Sequence, residues 1–168
     1  PDYHYAYAMA LAQRGIFDEA TEPFKALLEQ QGEQALIYLG LAETALAAEQ
    51  PTEALEWLER GLALFPGQMA LEVSKVEVHL QSGAPAKALN LTRELTYQHP
   101  QAPDIWALHA RAASAEADSA ESALAMAQYY AVQGDVEAGL SQLRRIDPAT
   151  ATANQRARAS ALRDQWEW

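Results

Sequence analysis

The 168-residue chain contains no cysteine, so it has no disulfide framework, no thiolate nucleophile and no thiolate metal site. It is short of histidine too. None of His4, His79, His99 and His109 has another histidine four residues away, so no H-E-x-x-H zinc helix is encoded. A Gly-x-Ser-x-Gly turn and a glycine-rich phosphate loop are missing. The expectation is a chain with no catalytic, cofactor-binding or metal residue. No five-residue stretch alternates β-branched or aromatic residues strongly enough to read as a strand. No apolar run reaches transmembrane length and no segment reads as a signal, so direct membrane insertion is not expected. Positive charge is scarce, with 12 Lys and Arg against 23 Asp and Glu for a formal net charge of −11. Such a balance disfavours nucleic-acid phosphates and anionic headgroups. Five of the twelve basic residues, Arg144, Arg145, Arg156, Arg158 and Arg163, lie in the last 25 positions. Without interleaved aromatics they read as a solvated cap or a face toward an acidic neighbour.

What the chain does have is alanine, the best helix former, arranged with a long period. Gly15 and Ala20 are matched by Glu49 and Ala54, then by Gly83 and Ala88, at steps of 34. The units are 1–34, 35–68 and 69–102, and a fourth begins at Pro103. Places seven, eight and eleven hold Tyr7, Ala8 and Leu11, then Leu41, Ala42 and Ala45, then Lys75, Val76 and His79. Places twenty, twenty-four and twenty-seven hold Ala20, Phe24 and Leu27, then Ala54, Leu58 and Gly61, then Ala88, Thr92 and Leu95. Small residues at eight and twenty let two helix backbones approach, and the larger apolar ones fill the space beside them. Pro66 and Pro100 share place thirty-two, where proline restrains the turn. Pro51, Pro85 and Pro103 stand where a first-turn proline removes no intrahelical bond. Asp18 and Asp135 follow turns and are read as helix caps.

A period of 34 is that of the tetratricopeptide repeat, which these units resemble. The fold predicted is all-α: a right-handed superhelical solenoid of about ten antiparallel helices, forming one domain over 1–168. Toward the end the phase changes. Gly134, Gly139, Leu143 and Ile146 match places fifteen, twenty, twenty-four and twenty-seven of a unit beginning near Ala120. A helix at about 103–116 and another at about 120–133 make the fourth hairpin, 103–133. The second of these also opens a fifth, 120–147, so Met126 and Tyr130 are expected to be largely buried. Pro148 precedes a terminal capping helix near 150–165.

In such a stack the first helix of each hairpin lines the inner wall, with places two, five, nine and twelve facing it. The groove residues singled out are Tyr5, Met9, Leu39, Glu43, Val73, Glu77 and Arg111. Around them stand Leu36, Leu46, Ala70 and Leu80, so the wall is apolar with an acidic stripe. Lysines, arginines and asparagines that would clamp a C-terminal carboxylate at places five and nine are absent from the first three units. A hydrophobic or mildly basic protein segment suits the wall. Any one of Leu36, Val73 and Leu80 reads equally as core. His4, His79 and His109 occupy packing places, and His99 can face a helix dipole. At the near end nothing covers Tyr3 and Tyr5. They are tolerated surface rings, or the contact for something absent, since a chain opening at Pro1 suggests an excised or processed piece.

The tail is more particular. Ala127, Gln128, Gly134, Asp135, Gln142, Leu143 and Arg144, followed by an arginine-bearing helix at 155–163, resemble the closing segment of the bacterial β-barrel assembly-enhancing proteases. Tyr5 to Leu11 and Tyr38 to Ala42 extend the likeness, while Gln128, Gly139 and Asp147-Pro148 depart from the family pattern. The resemblance implies the repeat half of a periplasmic protein with an N-terminal zinc metallopeptidase. It implies, further, contact with that domain, through Tyr3, Tyr5, Arg156, Arg158 or Arg163, and recruitment of substrates or of the outer-membrane barrel assembly machinery. A free-standing scaffold in envelope assembly is the competing expectation.

Overall fold

A computed structural model describes residues 2–31 and 34–167, the side chains of Asp2, Tyr3 and Gln31 excepted. Among the described residues there are ten α-helices and no strand. They are α1 (Asp2–Gln13), α2 (Phe17–Gln31), α3 (Ala35–Ala47), α4 (Pro51–Leu64), α5 (Met69–Gln81), α6 (Pro85–Gln98), α7 (Pro103–Ala115), α8 (Ser119–Val132), α9 (Val136–Arg144) and α10 (Ala153–Trp166). The chain divides into two compact units between Gly83 and Ala84.

Each first helix is followed by one residue in the left-handed region. Gly15 has φ +76°, Glu49 +59°, Gly83 +72° and Ala117 +61°, so the position appears four times at steps of 34. The following N–H reaches back five residues: Ile16 to Leu11 O at 3.0 Å, Gln50 to Ala45 O at 2.9 Å and Asp118 to Ala113 O at 2.9 Å. This closes the exposed carbonyls of the first helix and sends the chain back antiparallel. The connections between hairpins differ. Phe65 and His99 end their helices near φ −126° and −128° and donate to Gly61 O and Leu95 O at 2.8 Å, with Pro66 and Pro100 next. The fourth recurrence escaped the sequence reading because alanine is a costly left-handed residue and gives no signal there.

In the first unit α1 pairs with α2 and α3 with α4, while α5 packs on α4 and alongside α3. Ala8, Ala20, Ala42 and Ala54 are fully buried, as are Phe24 and Leu58. Two clusters result: Ala8, Phe24, Leu27, Ile37 and Leu41, then Tyr38, Ala42, Ala45, Leu58, Leu71 and Val78. A Cβ on Gly40 would meet the Phe24 ring at 2.5 Å, so only glycine lets α3 come this close to α2. Place seven departs from the pattern in the first repeat, where Tyr7 is 53% exposed, whereas Leu41 and His109 at the same place are buried.

In the second unit α6 packs on α7, α7 on α8, α8 on α9, and α10 covers α8 and α9. Ala120, Leu124, Ala127, Leu140, Leu143, Ile146, Ala151 and Ala159 form its far core. Gly134, at φ +85° and 17 residues beyond Ala117, ends α8 with the same turn, Asp135 N donating to Tyr130 O at 3.0 Å. Thus α8 closes one hairpin yet ends as first helices do, the turn a helix opening another hairpin needs. Gly139 replaces the usual small alanine because a Cβ would sit 3.0 Å from Ala127 O and 3.1 Å from the Trp166 ring.

Pro51, Pro85 and Pro103 do begin α4, α6 and α7. Asp135 caps α9 through Ala138 N at 3.0 Å, and Asp118 caps α8 through Glu121 N at 2.9 Å. Other expectations are corrected. Asp18 lies within the first turn of α2, where its charge suits the helix dipole, because α2 already starts at Phe17. His4 is exposed rather than packed, and Met126 and Tyr130 are half-buried, since α9 covers only part of α8. Met126→Ala therefore costs less than the several kcal/mol of a fully buried methionine. Nor did the sequence reading anticipate Pro23 inside α2.

Because Ala117 and Gly134 occupy the same kind of turn, opposite substitutions have opposite signs. Ala117→Gly is expected to raise stability by about 0.5–1 kcal/mol and Gly134→Ala to lower it by about 1 kcal/mol or more. Urea unfolding followed by circular dichroism measures both. Destabilisation by Ala117→Gly contradicts the left-handed turn at that position.

Candidate interaction surfaces

In the first unit α1, α3 and α5 lie side by side, since α3 packs against both of the others. The predicted wall residues of the first unit are carried on these three helices. Tyr5 and Met9 are half-buried on the Phe24 cluster, Tyr5 edge-on to Phe24 with ring centres 5.4 Å apart. Leu39 and Leu46 pack partly on the Tyr38 cluster, and Val73 and Glu77 are half-buried on α5. Leu36 is 51% exposed. Glu43 retains much solvent contact, yet desolvation by the wall raises its carboxyl above the usual range. Burial, and then the Glu43 charge, push the Tyr5 phenol upward. Arg111 is exposed on α7 of the second unit. Tyr3 lies outside the described side chains. Tyr5 itself is less a bare surface ring than the sequence suggested.

The second unit holds a polar chain that the sequence reading did not assemble. His109, 1% exposed, meets Thr92 Oγ1 through Nδ1 at 2.7 Å and Glu121 Oε1 through Nε2 at 3.0 Å. Glu121, 3% exposed, accepts from Arg158 Nη1 at 3.1 and 2.8 Å and from Nη2 at 3.1 Å. Four helices, α6, α7, α8 and α10, are joined. An ionised carboxylate only accepts, so Nε2 carries a proton. Nδ1 then accepts from the Thr92 hydroxyl when the ring is neutral or donates to it when charged, and the chain survives either state. Signal for it existed: Thr92 and His109 are polar residues at packing places twenty-four and seven, where a buried polar group needs a hydrogen-bond partner, although the Thr92 hydroxyl can also donate to Leu89 O at 3.1 Å.

The terminal arginines serve α10. Besides Arg158, Arg163 Nη2 donates to Leu143 O at 2.9 Å, and Arg156 Nη1 donates to Pro148 O at 3.1 Å and to Ala151 O. Gln155 Nε2 donates to both Asp118 oxygens at 2.9 Å, and Thr152 with Gln155 forms a capping box. Only Gln155 and Ala159 of this helix are buried. These polar bonds add to the packing of Ala159, Leu162 and Trp166 on the far core.

Burial of Glu121 opposes its charge, but hydrogen bonds from His109 and Arg158 and their charges outweigh that and hold the carboxyl at about 2. A depressed carboxylate contributes stability that is present above its unfolded value near 4.5 and is lost as pH falls toward 2. The contribution is on the order of 3 kcal/mol. Glu121→Gln is expected to remove this acid-sensitive term, so that the difference in urea midpoint between wild type and variant shrinks from pH 6 to pH 2.5. A difference independent of pH in that window contradicts the ionised pairing.

Among the described residues no group of three or more His, Cys, Asp or Glu could hold a metal ion, and no helix is long and apolar enough to cross a membrane. Comparison with known proteins matches residues 45–112 to a tetratricopeptide repeat family. The β-barrel assembly-enhancing protease of Escherichia coli K12 is 26% identical over 96% of this chain, and that of Yersinia pestis 23% identical over 83%. The chain spans about a third of the length of these relatives, 33% and 29%. Among solved structures, MamA from Desulfovibrio magneticus RS-1 aligns with 99% of this chain and 97% of its own at TM-score 0.65 and 13% identity. A thermophilic TPR protein of Thermus thermophilus aligns with 96% of this chain and 97% of its own at TM-score 0.55 and 17% identity. The chain thus has a tetratricopeptide-type fold of the protein-interaction kind, and in sequence it resembles part of the β-barrel assembly-enhancing proteases.

Proposed function

We propose that this chain is a non-catalytic recruiting domain, a single repeat domain in which the fourth and fifth hairpins share α8. It holds substrates or outer-membrane assembly partners for an attached periplasmic zinc metallopeptidase. The observation that carries the reading is the alignment of 96% of the chain with the E. coli β-barrel assembly-enhancing protease. The wall of α1, α3 and α5 supports it, being apolar around Tyr5, Met9, Leu39 and Val73 and acidic at Glu43 and Glu77. Up to Gly83 the chain carries four basic and thirteen acidic residues, a balance of −9. A partner segment with an apolar face and positive charge complements that field, which speeds its approach. Arg111, exposed on α7 of the second unit, is proposed as a separate partner contact. Tyr3, Tyr5 and the arginines of α10 are the proposed contacts with the peptidase domain.

A free-standing scaffold in envelope assembly is the second reading. It rests on the repeat fold itself, which holds a partner without an attached peptidase. A parent gene encoding H-E-x-x-H upstream of Pro1 separates the two.

The wall is tested by charge reversal. Glu43→Lys and Glu77→Lys are expected to weaken binding to the parent's peptidase domain, or to a partner isolated from envelope extract, by about tenfold. Glu56→Lys, on the exposed face of α4, is expected to have little effect. The gap narrows as salt shortens the Debye length from about 30 Å at 0.01 M to about 8 Å at 0.15 M. Equal retention by the α3, α5 and α4 reversals overturns the assignment.

A further inference from the structure

An open cavity of about 420 Å³ lies in the second unit, directly over the polar chain. Arg93 and Tyr97 of α6, Trp106 of α7, Gln128 of α8, and Asn154 and Arg158 of α10 surround it, with His109 and Glu121 as its floor. Four features give it a chemistry distinct from the α1, α3, α5 wall. Arg93 is exposed and spends one N–H on Asn90 Oδ1 at 3.0 Å. Arg158 makes three contacts with Glu121 through Nη1 and Nη2, which do not exhaust the five donors of its guanidinium. Gln128 and Asn154 add amide groups that can pair with a peptide backbone. Finally, Tyr97 is 80% exposed, the most exposed large hydrophobic residue described, while the Trp106 indole is fixed by donation to Pro100 O at 2.9 Å.

We propose that this cavity binds an extended acidic peptide segment, its carboxylate held by Arg93 and the free donors of Arg158 and a neighbouring apolar side chain lodged on Tyr97 and Trp106. The charge arithmetic favours an anion. Two guanidiniums face one floor carboxylate, and that carboxylate is already saturated by Arg158 and His109, so the rim is left positive in a chain of net charge −11. From Ala84 onward there are eight basic and ten acidic residues, a balance of −2, so the surrounding field opposes an anion far less than that of the first unit. Guanidinium donors bind carboxylates through short charge-assisted bonds, and a ring wall rewards the adjacent side chain. The two units would therefore take polypeptide segments of opposite charge. The site stands independently of the peptidase-associated reading above.

The test is tryptophan fluorescence of the whole chain with three probe peptides. They are acetyl-Gly-Glu-Phe-Gly-amide, its Gln analogue, and acetyl-Gly-Gln-Phe with a free C-terminal carboxylate. Expected is quenching by the Glu peptide with a Kd on the order of 1 mM or tighter, and at least about tenfold weaker binding of the neutral analogue. The third probe tells a side-chain carboxylate from a terminal one, and binding of either supports the shared chemistry. Trp106→Phe should abolish the quench. Arg93→Gln should weaken binding by about tenfold with the thermal midpoint unchanged, as its side chain is exposed and holds no buried group. Arg158→Gln also disturbs α10, so it is read only beside its own unfolding curve. The proposal is overturned by equal binding of the Glu and Gln peptides, by binding unchanged in Arg93→Gln, by a quench that persists in Trp106→Phe, or by no binding at concentrations on the order of 10 mM.

Discussion

A residue in the left-handed region at the end of every first helix is the constraint from which the architecture follows. Only there can the chain reverse in two residues while the last carbonyls of the helix stay bonded. The reversal brings two helix backbones so close that places eight and twenty admit nothing much larger than alanine, as Ala8 and Ala20 or Ala42 and Ala54 show. Once the backbones touch, the larger side chains at place twenty-four must point between neighbouring hairpins, and Phe24 and Leu58 do so. The core is then a series of local clusters rather than a single centre, which is how a stack of repeats gains its stability.

At the far end the same geometry is kept with different chemistry. Place twenty-four becomes Thr92 and place seven becomes His109, and the gap between hairpins is bridged by hydrogen bonds continued through Glu121 to Arg158. Buried polar groups of this kind cost much if broken and are seldom more stabilising than an apolar filling. Here they add to the apolar docking of α10 through Ala159, Leu162 and Trp166 and leave Arg158 at the rim of an open cavity.

Much of this was legible in the sequence. Three in-register units gave the hairpins, the buried alanines and the first-turn prolines, because place-specific packing leaves a mark at each recurrence. Ala117 was not legible: nothing about an alanine announces a left-handed backbone, and its assignment needed the φ angle. His4 was misplaced because periodicity marks a face without saying whether a neighbour exists to cover it, and the first helix has none on that side. Met126 and Tyr130 failed for the same reason, α9 being only nine residues long. The chain from Thr92 to Arg158 joins residues 66 positions apart, a separation at which a single sequence shows no pairing, although two polar residues at packing places hinted that each needed a partner.

The candidate wall is an assignment from repeat register to α1, α3 and α5, and the geometry adds how open each residue is. Leu36 stands half in solvent, Met9 and Leu39 are partly covered, and Glu43 is exposed, its carboxyl raised by partial desolvation. The central claim is that a partner polypeptide lies against this wall. Photo-crosslinking tests it most directly, with a benzophenone amino acid placed in turn at Met9, at Leu36 and at Leu64, the last a similarly exposed apolar residue at the end of α4. The account predicts partner adducts from positions 9 and 36 and none from 64; adducts from 64 with none from 9 or 36 would contradict it.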